Sequence, residues 1–366
     1  MTGDLPAEPP AERRIPAPPH PHERQQALPG EGPEPSIPPD PAAGAALDAI
    51  ARSPSYRQAD EDLDFLHHDA LRGLRLHLDY QKAEMGLERH GIAHTIVVFG
   101  STRIPDPEVA RQALHDREAA LAQRPDDPEA LRRLSVARRV LAKSRYYDEA
   151  RAFGRIVGEA GKHACGGRLV VTTGGGPGIM EAANRGAHDV GAPSVGLNIT
   201  LPHEQYPNPY ITPDLCFRFH YFATRKMHLL MRARALVAFP GGFGTLDELF
   251  EVLTLAQTRK ILPVPVVLVG EAYWRRVFDV DFLADEGVID PEDRGLFWFA
   301  ETGEQAWSDI LRWYDATGEP LLEGHTGDRP SGEGPRPARP EPMRPAPVRP
   351  APLDAGPAHP TSMHHG

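Results

Sequence analysis

The stretch Ala235-Leu236-Val237-Ala238-Phe239-Pro240-Gly241-Gly242-Phe243-Gly244-Thr245-Leu246-Asp247-Glu248 decides the fold. Five consecutive apolar residues cannot alternate between core and water. They read as a strand buried on both faces, as in a parallel sheet. Proline and glycine end the strand, and a helical pattern follows over 246–258. Strand, glycine turn and helix make one half of a β-α-β unit.

The same unit repeats outward from this stretch. Upstream, Thr95-Ile96-Val97-Val98-Phe99 runs into Gly100-Ser101-Thr102-Arg103, and Leu169-Val170-Val171-Thr172 runs into Thr173-Gly174-Gly175-Gly176-Pro177-Gly178. Further strands are predicted at 194–198, 216–219 and 264–269, with helical patterns near 145–162, 178–188, 221–233 and 271–283. Repeated strand-helix alternation predicts an α/β fold: a Rossmann-like, doubly wound parallel sheet with helices on both faces. Leucines at broadly helical intervals over 46–88 predict a leading helical arm, and residues 104–144, rich in Ala, Arg and Glu, a helical surface elaboration.

Composition sets the limits of the domain. Of the 40 prolines in 366 residues, thirteen lie in 1–41 and twelve in 320–366, so these ends offer little apolar surface to bury. The expected organisation is a disordered tail over 1–45, one domain over 46–316 and a second disordered tail over 317–366. The Arg-Pro-Ala-Pro units of the C-terminal tail read as solvated linker rather than as a polyproline ligand.

The net charge of −11 argues against a nucleic-acid polymer, which requires a clustered cationic face. Two cysteines, Cys165 and Cys216, without paired spacing argue against a disulfide framework or thiolate metal site and fit a reducing cytoplasm. No apolar run is long enough for a membrane span, and the seventeen histidines are scattered without metal-ligand spacing. The expectation is a cytoplasmic protein with neither metal nor membrane partner.

Each glycine-bearing loop follows an apolar strand: one at Gly100 and Ser101, one at Gly174, Gly175 and Gly176, and one at Gly241, Gly242, Gly244 and Thr245. Glycines let backbone N–H groups approach an anion, and a helix opening behind them adds its positive end. A phosphate is the natural guest. Neither a dinucleotide fingerprint nor a P-loop is present, because Ile179 stands where Gly or Ala is wanted and no Gly-Lys-Ser/Thr follows any loop.

Thr245 and Glu248 have the spacing of a helix capping box. The alternative is a phosphate loop with Glu248 one turn inside, presenting its carboxylate to the sugar of the same ligand. Arg225 and Lys226 open another helical pattern and read either as a solvated face or as an anion grip. On spacing alone both pairs of readings stay open.

Together, residues 174–181, Arg225-Lys226 and the Pro-Gly-Gly-x-Gly-Thr-x-x-Glu run over 240–248 resemble the LOG family of cytokinin riboside 5′-monophosphate phosphoribohydrolases, in its longer bacterial form. These proteins often carry the label of lysine decarboxylases. The resemblance extends over residues 94–315. It implies hydrolysis of the N-glycosidic bond of a purine nucleoside 5′-monophosphate, AMP or an N6-modified AMP, by a homodimer without metal or organic cofactor. Carried over by position, Arg225 and Glu248 are the catalytic pair. Gly100, Ser101, Gly174, Gly175, Gly176, Lys226, Gly241, Gly242, Gly244 and Thr245 are the substrate contacts. Plant-type members carry Met-His-Glu where this chain has Phe222, Ala223 and Thr224. The decarboxylase label has no support in the residues, since no lysine is singled out for a Schiff base with pyridoxal phosphate. The rival expectation is a non-catalytic nucleotide or molybdenum-cofactor carrier on the same fold, which would keep the glycine loops without needing Glu248. His203 and Glu204 are candidates for a flap over the ligand or for a plain surface loop.

Overall fold

A computed structural model describes residues 41–164, 168–202 and 206–322. Seven strands form one sheet: β1 His94–Phe99, β2 Leu169–Thr173, β3 Ser194–Ile199, β4 Cys216–Phe219, β5 Ala233–Ala238, β6 Val266–Val269 and β7 Trp298–Ala300. Their order is β4-β3-β2-β1-β5-β6-β7, and every neighbouring pair is parallel. This is the doubly wound sheet expected from the apolar runs, with β7 added at one edge.

Burial explains why the strands are continuously apolar. Along β1, Ile96 and Val98 enter the core on one face while Val97 and Phe99 enter the core on the other. The first face is covered by helices Arg145–Ala164, Ile179–Asp189 and Gly303–Thr317 through Phe153, Val157, Ile179 and Ile310. The second is covered by Arg72–Arg89, Phe222–Met231, Phe243–Gln257 and Glu271–Val277 through Leu87, Leu229, Leu249 and Trp274.

Two of the covering helices approach through glycines. A Cβ on Gly154 would overlap the Ala183 carbonyl oxygen, and one on Gly186 would overlap the Arg151 carbonyl oxygen. Helices Arg145–Ala164 and Ile179–Asp189 therefore touch backbone to backbone. We expect Gly154→Ala to cost about 1–3 kcal/mol, the usual overpacking penalty, and to lower Tm by several degrees in a thermal melt. An unchanged melt would show that the helices can separate freely.

The predicted elaboration over 104–144 is a pair of helices, Pro107–Gln123 and Pro128–Lys143. Each is started by an aspartate followed by proline: Asp106 accepts from Glu108 N–H and Asp127 from Glu129 N–H, both at 2.9 Å. The single helix expected over 271–283 is two, because the chain turns extended at Phe278 and Asp279 caps a second helix, Val280–Asp285. The leading arm contains the long helix Arg72–Arg89. The helix Pro41–Ala51 begins inside the segment expected to be the N-terminal tail, and the expected C-terminal tail starts inside the helix Gly303–Thr317 and runs on to Leu321 and Leu322, which pack against the core. Residues 1–40 and 323–366 lie outside the described residues. No helix among the described residues is long and apolar enough to cross a membrane, and Cys216 is a free thiol.

The chain proceeds from β1 outward to β4, then crosses back to lay β5 on the opposite side of β1. The loops after β1 and β5 therefore diverge. A crevice opens between them at the carboxyl ends of the strands, where ligands of open α/β sheets bind.

Candidate active site

A cavity of about 480 Å³ lies at this crevice. One wall is the loop after β1, with Gly100, Ser101, Thr102 and Arg103; another is the start of helix Phe243–Gln257, with Gly242, Gly244, Thr245 and Glu248. Phe222 and Arg225 come from helix Phe222–Met231. The two loops are tied together at their base, where Phe239 N–H donates to Phe99 O at 2.9 Å and Ser101 N–H to Pro240 O at 3.0 Å.

The helix behind the third glycine loop starts earlier than the spacing suggested. Its N-cap is Gly242, which has no side chain to cap it. The first helical hydrogen bond runs from Leu246 N–H to Gly242 O at 3.0 Å. Thr245 is thus already in the first turn, so the capping-box reading of Thr245 and Glu248 fails. The N–H groups of Phe243, Gly244 and Thr245 precede that first bond and are left for an anion at the positive end of the helix. Gly241 is required for packing: the Thr245 side chain occupies the space of a Cβ there, and Tyr273 OH donates to Gly241 O at 2.5 Å.

Glu248 stands one turn further in, 5% exposed. Arg225 reaches it from the neighbouring helix with Nη1 3.9 Å from Oε1. The guanidinium is fixed independently of that contact, because its Nε donates to Leu197 O at 2.8 Å. Both groups are almost wholly removed from water. Burial pushes the Glu248 carboxyl from its ordinary 4.5 up to about 7, with Arg225 and Lys226 pulling the other way and Glu251 and Asp247 adding to the rise. Burial likewise lowers Arg225, offset by Glu248 and Asp247. An acid that titrates near neutrality, beside a fixed cation, is suited to moving a proton.

Not all the expected contacts gather here. Gly174, Gly175 and Gly176 do not line the cavity. Gly174 lies behind Arg225, where a Cβ would come within 2.6 Å of Nη2 and 2.9 Å of the Met180 sulfur. Gly175 has φ +73° and the Asn198 side-chain oxygen occupies its Cβ position, while Asn208 N–H and Nδ2 donate to the carbonyls of Gly175 and Gly176 at 2.9 and 3.1 Å. These glycines make room for protein groups and support the arginine from behind. Lys226 also points elsewhere. Its Nζ lies 2.8 Å from Asp247 Oδ1 and 3.1 Å from Glu251 Oε2. Burial alone would lower its pKa, but hydrogen bonds to those two carboxylates raise it overall. A lysine held charged in this way is the reverse of a Schiff-base lysine.

The sequence reading missed Arg103, Phe222 and Phe243 as walls of the cavity. Phe243 is 92% exposed, a signal visible only once the helix start is known. Residues 203–205, with the flap candidates His203 and Glu204, lie outside the described residues. No group of three or more His, Cys, Asp or Glu among the described residues is arranged to hold a metal ion.

Fold and cavity define a Rossmann-like α/β protein whose ligand crevice lies at the crossover between β1 and β5. A family model described as "Possible lysine decarboxylase" matches residues 180–310. The chain is 32% identical over 145 residues to LOGL5, a probable cytokinin riboside 5′-monophosphate phosphoribohydrolase of Oryza sativa subsp. japonica, covering 39% of this chain and 56% of the relative. It is 29% identical over 168 residues to LOG4 of the same plant, a probable enzyme of the same name, covering 45% of this chain and 71% of the relative. The matched region thus spans little more than half of the first relative. Among solved structures, the Moco carrier protein from Chlamydomonas reinhardtii is 18% identical, with a TM-score of 0.36 over 61% of this chain and 98% of that one. The matched region is similar to proteins of the LOG family, the resemblance carried by the glycine loops and the Arg-Lys pair.

Proposed function

We propose that the cavity hydrolyses the N-glycosidic bond of a purine nucleoside 5′-monophosphate, AMP or an N6-modified AMP, releasing free base and ribose 5-phosphate. The observation that carries this reading is Glu248, a buried carboxyl poised near pH 7 against Arg225, one turn behind a row of free helix N–H groups. The curated relatives, named as phosphoribohydrolases, support it.

In this reading the 5′-phosphate rests on the N–H groups of Phe243, Gly244 and Thr245, with Ser101 on the facing loop. That places the ribose toward Glu248 and Arg225. The bond from C1′ to the base nitrogen breaks with its electron pair leaving on the base. A water oxygen bonds to C1′ and passes one proton to the Glu248 carboxylate, and the Glu248 carboxyl then hands that proton to the nitrogen of the departing base, which regenerates the carboxylate. Arg225 holds the ribose and restrains the carboxylate without itself exchanging a proton. Phe222 and Phe243 supply apolar walls at the mouth, suited to a flat base.

The working form in this proposal is a cytoplasmic homodimer. Phe222, Met227, Met231 and Phe250, all large and exposed on the two helices that bracket the cavity, support that assembly.

The test is incubation of the full chain with AMP and with N6-isopentenyl-AMP, followed by chromatography. Free base and ribose 5-phosphate are expected in equal amounts, above the level given by Glu248→Ala. Tight nucleotide binding without release of base would overturn hydrolysis and leave a carrier.

A further inference from the structure

The helix bearing Arg225 has no capping side chain of its own, since the residue before it is Tyr221. Its start is nevertheless held from a distant part of the chain. Asp79, on the arm helix Arg72–Arg89, accepts from His220 N–H at 2.9 Å through Oδ1. Through Oδ2 it accepts from Tyr221 N–H at 3.0 Å and from the Thr224 hydroxyl at 2.6 Å. The same hydroxyl oxygen lies 3.0 Å from Tyr221 O, so its one proton is shared between the two acceptors with the shorter bond to Asp79, and Arg225 N–H opens the helix on that carbonyl at 3.2 Å. One carboxylate thus fixes the residues immediately preceding Arg225.

We propose that Asp79 is the positioning residue for Arg225: by capping the helix from the arm, it sets where the guanidinium meets Glu248. This inference rests on the reading of the cavity as a nucleotide-cleaving site. A helix start with free φ and ψ would let the first turn fray, and Arg225 lies within that turn. A displacement of about 1 Å at a reacting centre costs rate far beyond its effect on stability.

The arm makes further contacts with the same helix, and these provide the control. Glu84 holds Arg232 by two hydrogen bonds of 2.7 and 2.8 Å at the residue that follows the helix, two turns from Arg225. Of these two carboxylates only Asp79 touches the end that carries Arg225, where Arg75 of the same arm also donates to the Tyr221 hydroxyl at 3.2 Å. Stability and positioning can therefore be separated.

The experiment compares Asp79→Ala, Asp79→Asn and Glu84→Ala in the full chain. Asp79→Ala is expected to lower kcat on AMP by about 10-fold or more, with a smaller change in KM. Asp79→Asn keeps one acceptor oxygen and should fall between it and the unaltered chain, which also serves if the alanine variant does not fold. Glu84→Ala should lose thermal stability while holding kcat within about two-fold. Hydrogen exchange gives a readout independent of turnover: the amides of His220 and Tyr221 should lose protection in Asp79→Ala and keep it in Glu84→Ala. An unchanged kcat in Asp79→Ala, retained protection at His220 and Tyr221, or a fall in kcat that merely tracks Tm across all variants would overturn the assignment. If the unaltered chain releases no base, the hydrolase reading fails. Positioning is then decided by calorimetric AMP affinity, expected to drop about 10-fold in Asp79→Ala alone and, if equal in both alanine variants, overturning it.

Discussion

Glu248→Gln is expected to lower kcat on AMP by a factor of about 10²–10³ while leaving the fold intact, the loss typical of removing a positioned acid or base. Glutamine nearly matches glutamate in shape, so the cavity and the hold of Leu197 O on Arg225 should survive. The variant can neither take a proton from water nor carry the negative charge that faces a cationic sugar centre. The unaltered chain should also show a kcat/KM that rises with pH through a limb near 7, the range into which burial brings the Glu248 carboxyl, and then levels off. In Glu248→Gln that limb should be absent. A limb that persists in the variant would assign the titration to another group and remove Glu248 from the chemistry.

The second large effect concerns stability and requires no substrate. Glu248 has a folded pKa raised from 4.5 to about 7. Between those values the folded chain holds a proton that the unfolded chain has released, so stability falls as pH rises through this window. Below about 4.5 the carboxyl is neutral in both states and imposes no penalty; above about 7 the penalty is complete. At 1.36 kcal/mol per unit, the shift corresponds to a penalty of about 3 kcal/mol. Glu248→Gln should therefore melt near the unaltered chain at pH 4.5 and clearly above it at pH 8. Parallel melting curves across that range would show that the carboxyl is hydrated in the folded chain. A substitution that removes activity and adds stability is the pattern of a group placed for chemistry at the expense of the fold.

The sheet was legible because burial on both faces leaves a mark that spacing can detect. Thr95 to Phe99 and Ala235 to Phe239 admit no other easy reading. β7 is three residues, Trp298, Phe299 and Ala300, too short to stand out from a turn-rich neighbourhood. The pairing of Glu248 with Arg225 was legible through residue type and company, whereas details of the loops were not. Thr245 and Glu248 imitate a capping box, and the true cap, Gly242, has no side chain to announce itself. Lys226 was grouped with Arg225 by adjacency, yet successive residues on a helix point about 100° apart, and the lysine turns to Asp247 and Glu251. The glycines at 174–176 looked like an anion loop because close approach of any group demands glycine, whether the visitor is a phosphate or the side chains of Asn198 and Arg225. Asp79 lies more than 140 residues from the amides it caps, a separation at which no local pattern can connect them.

The two margins of the sheet have a bearing on how copies of this chain meet. β4 is four residues and β7 three, so each presents only a few unpaired backbone groups outward. An edge that brief is a poor template for a foreign strand, and natural sheets keep their margins short to discourage such growth. Lateral propagation of the sheet from molecule to molecule is thereby disfavoured.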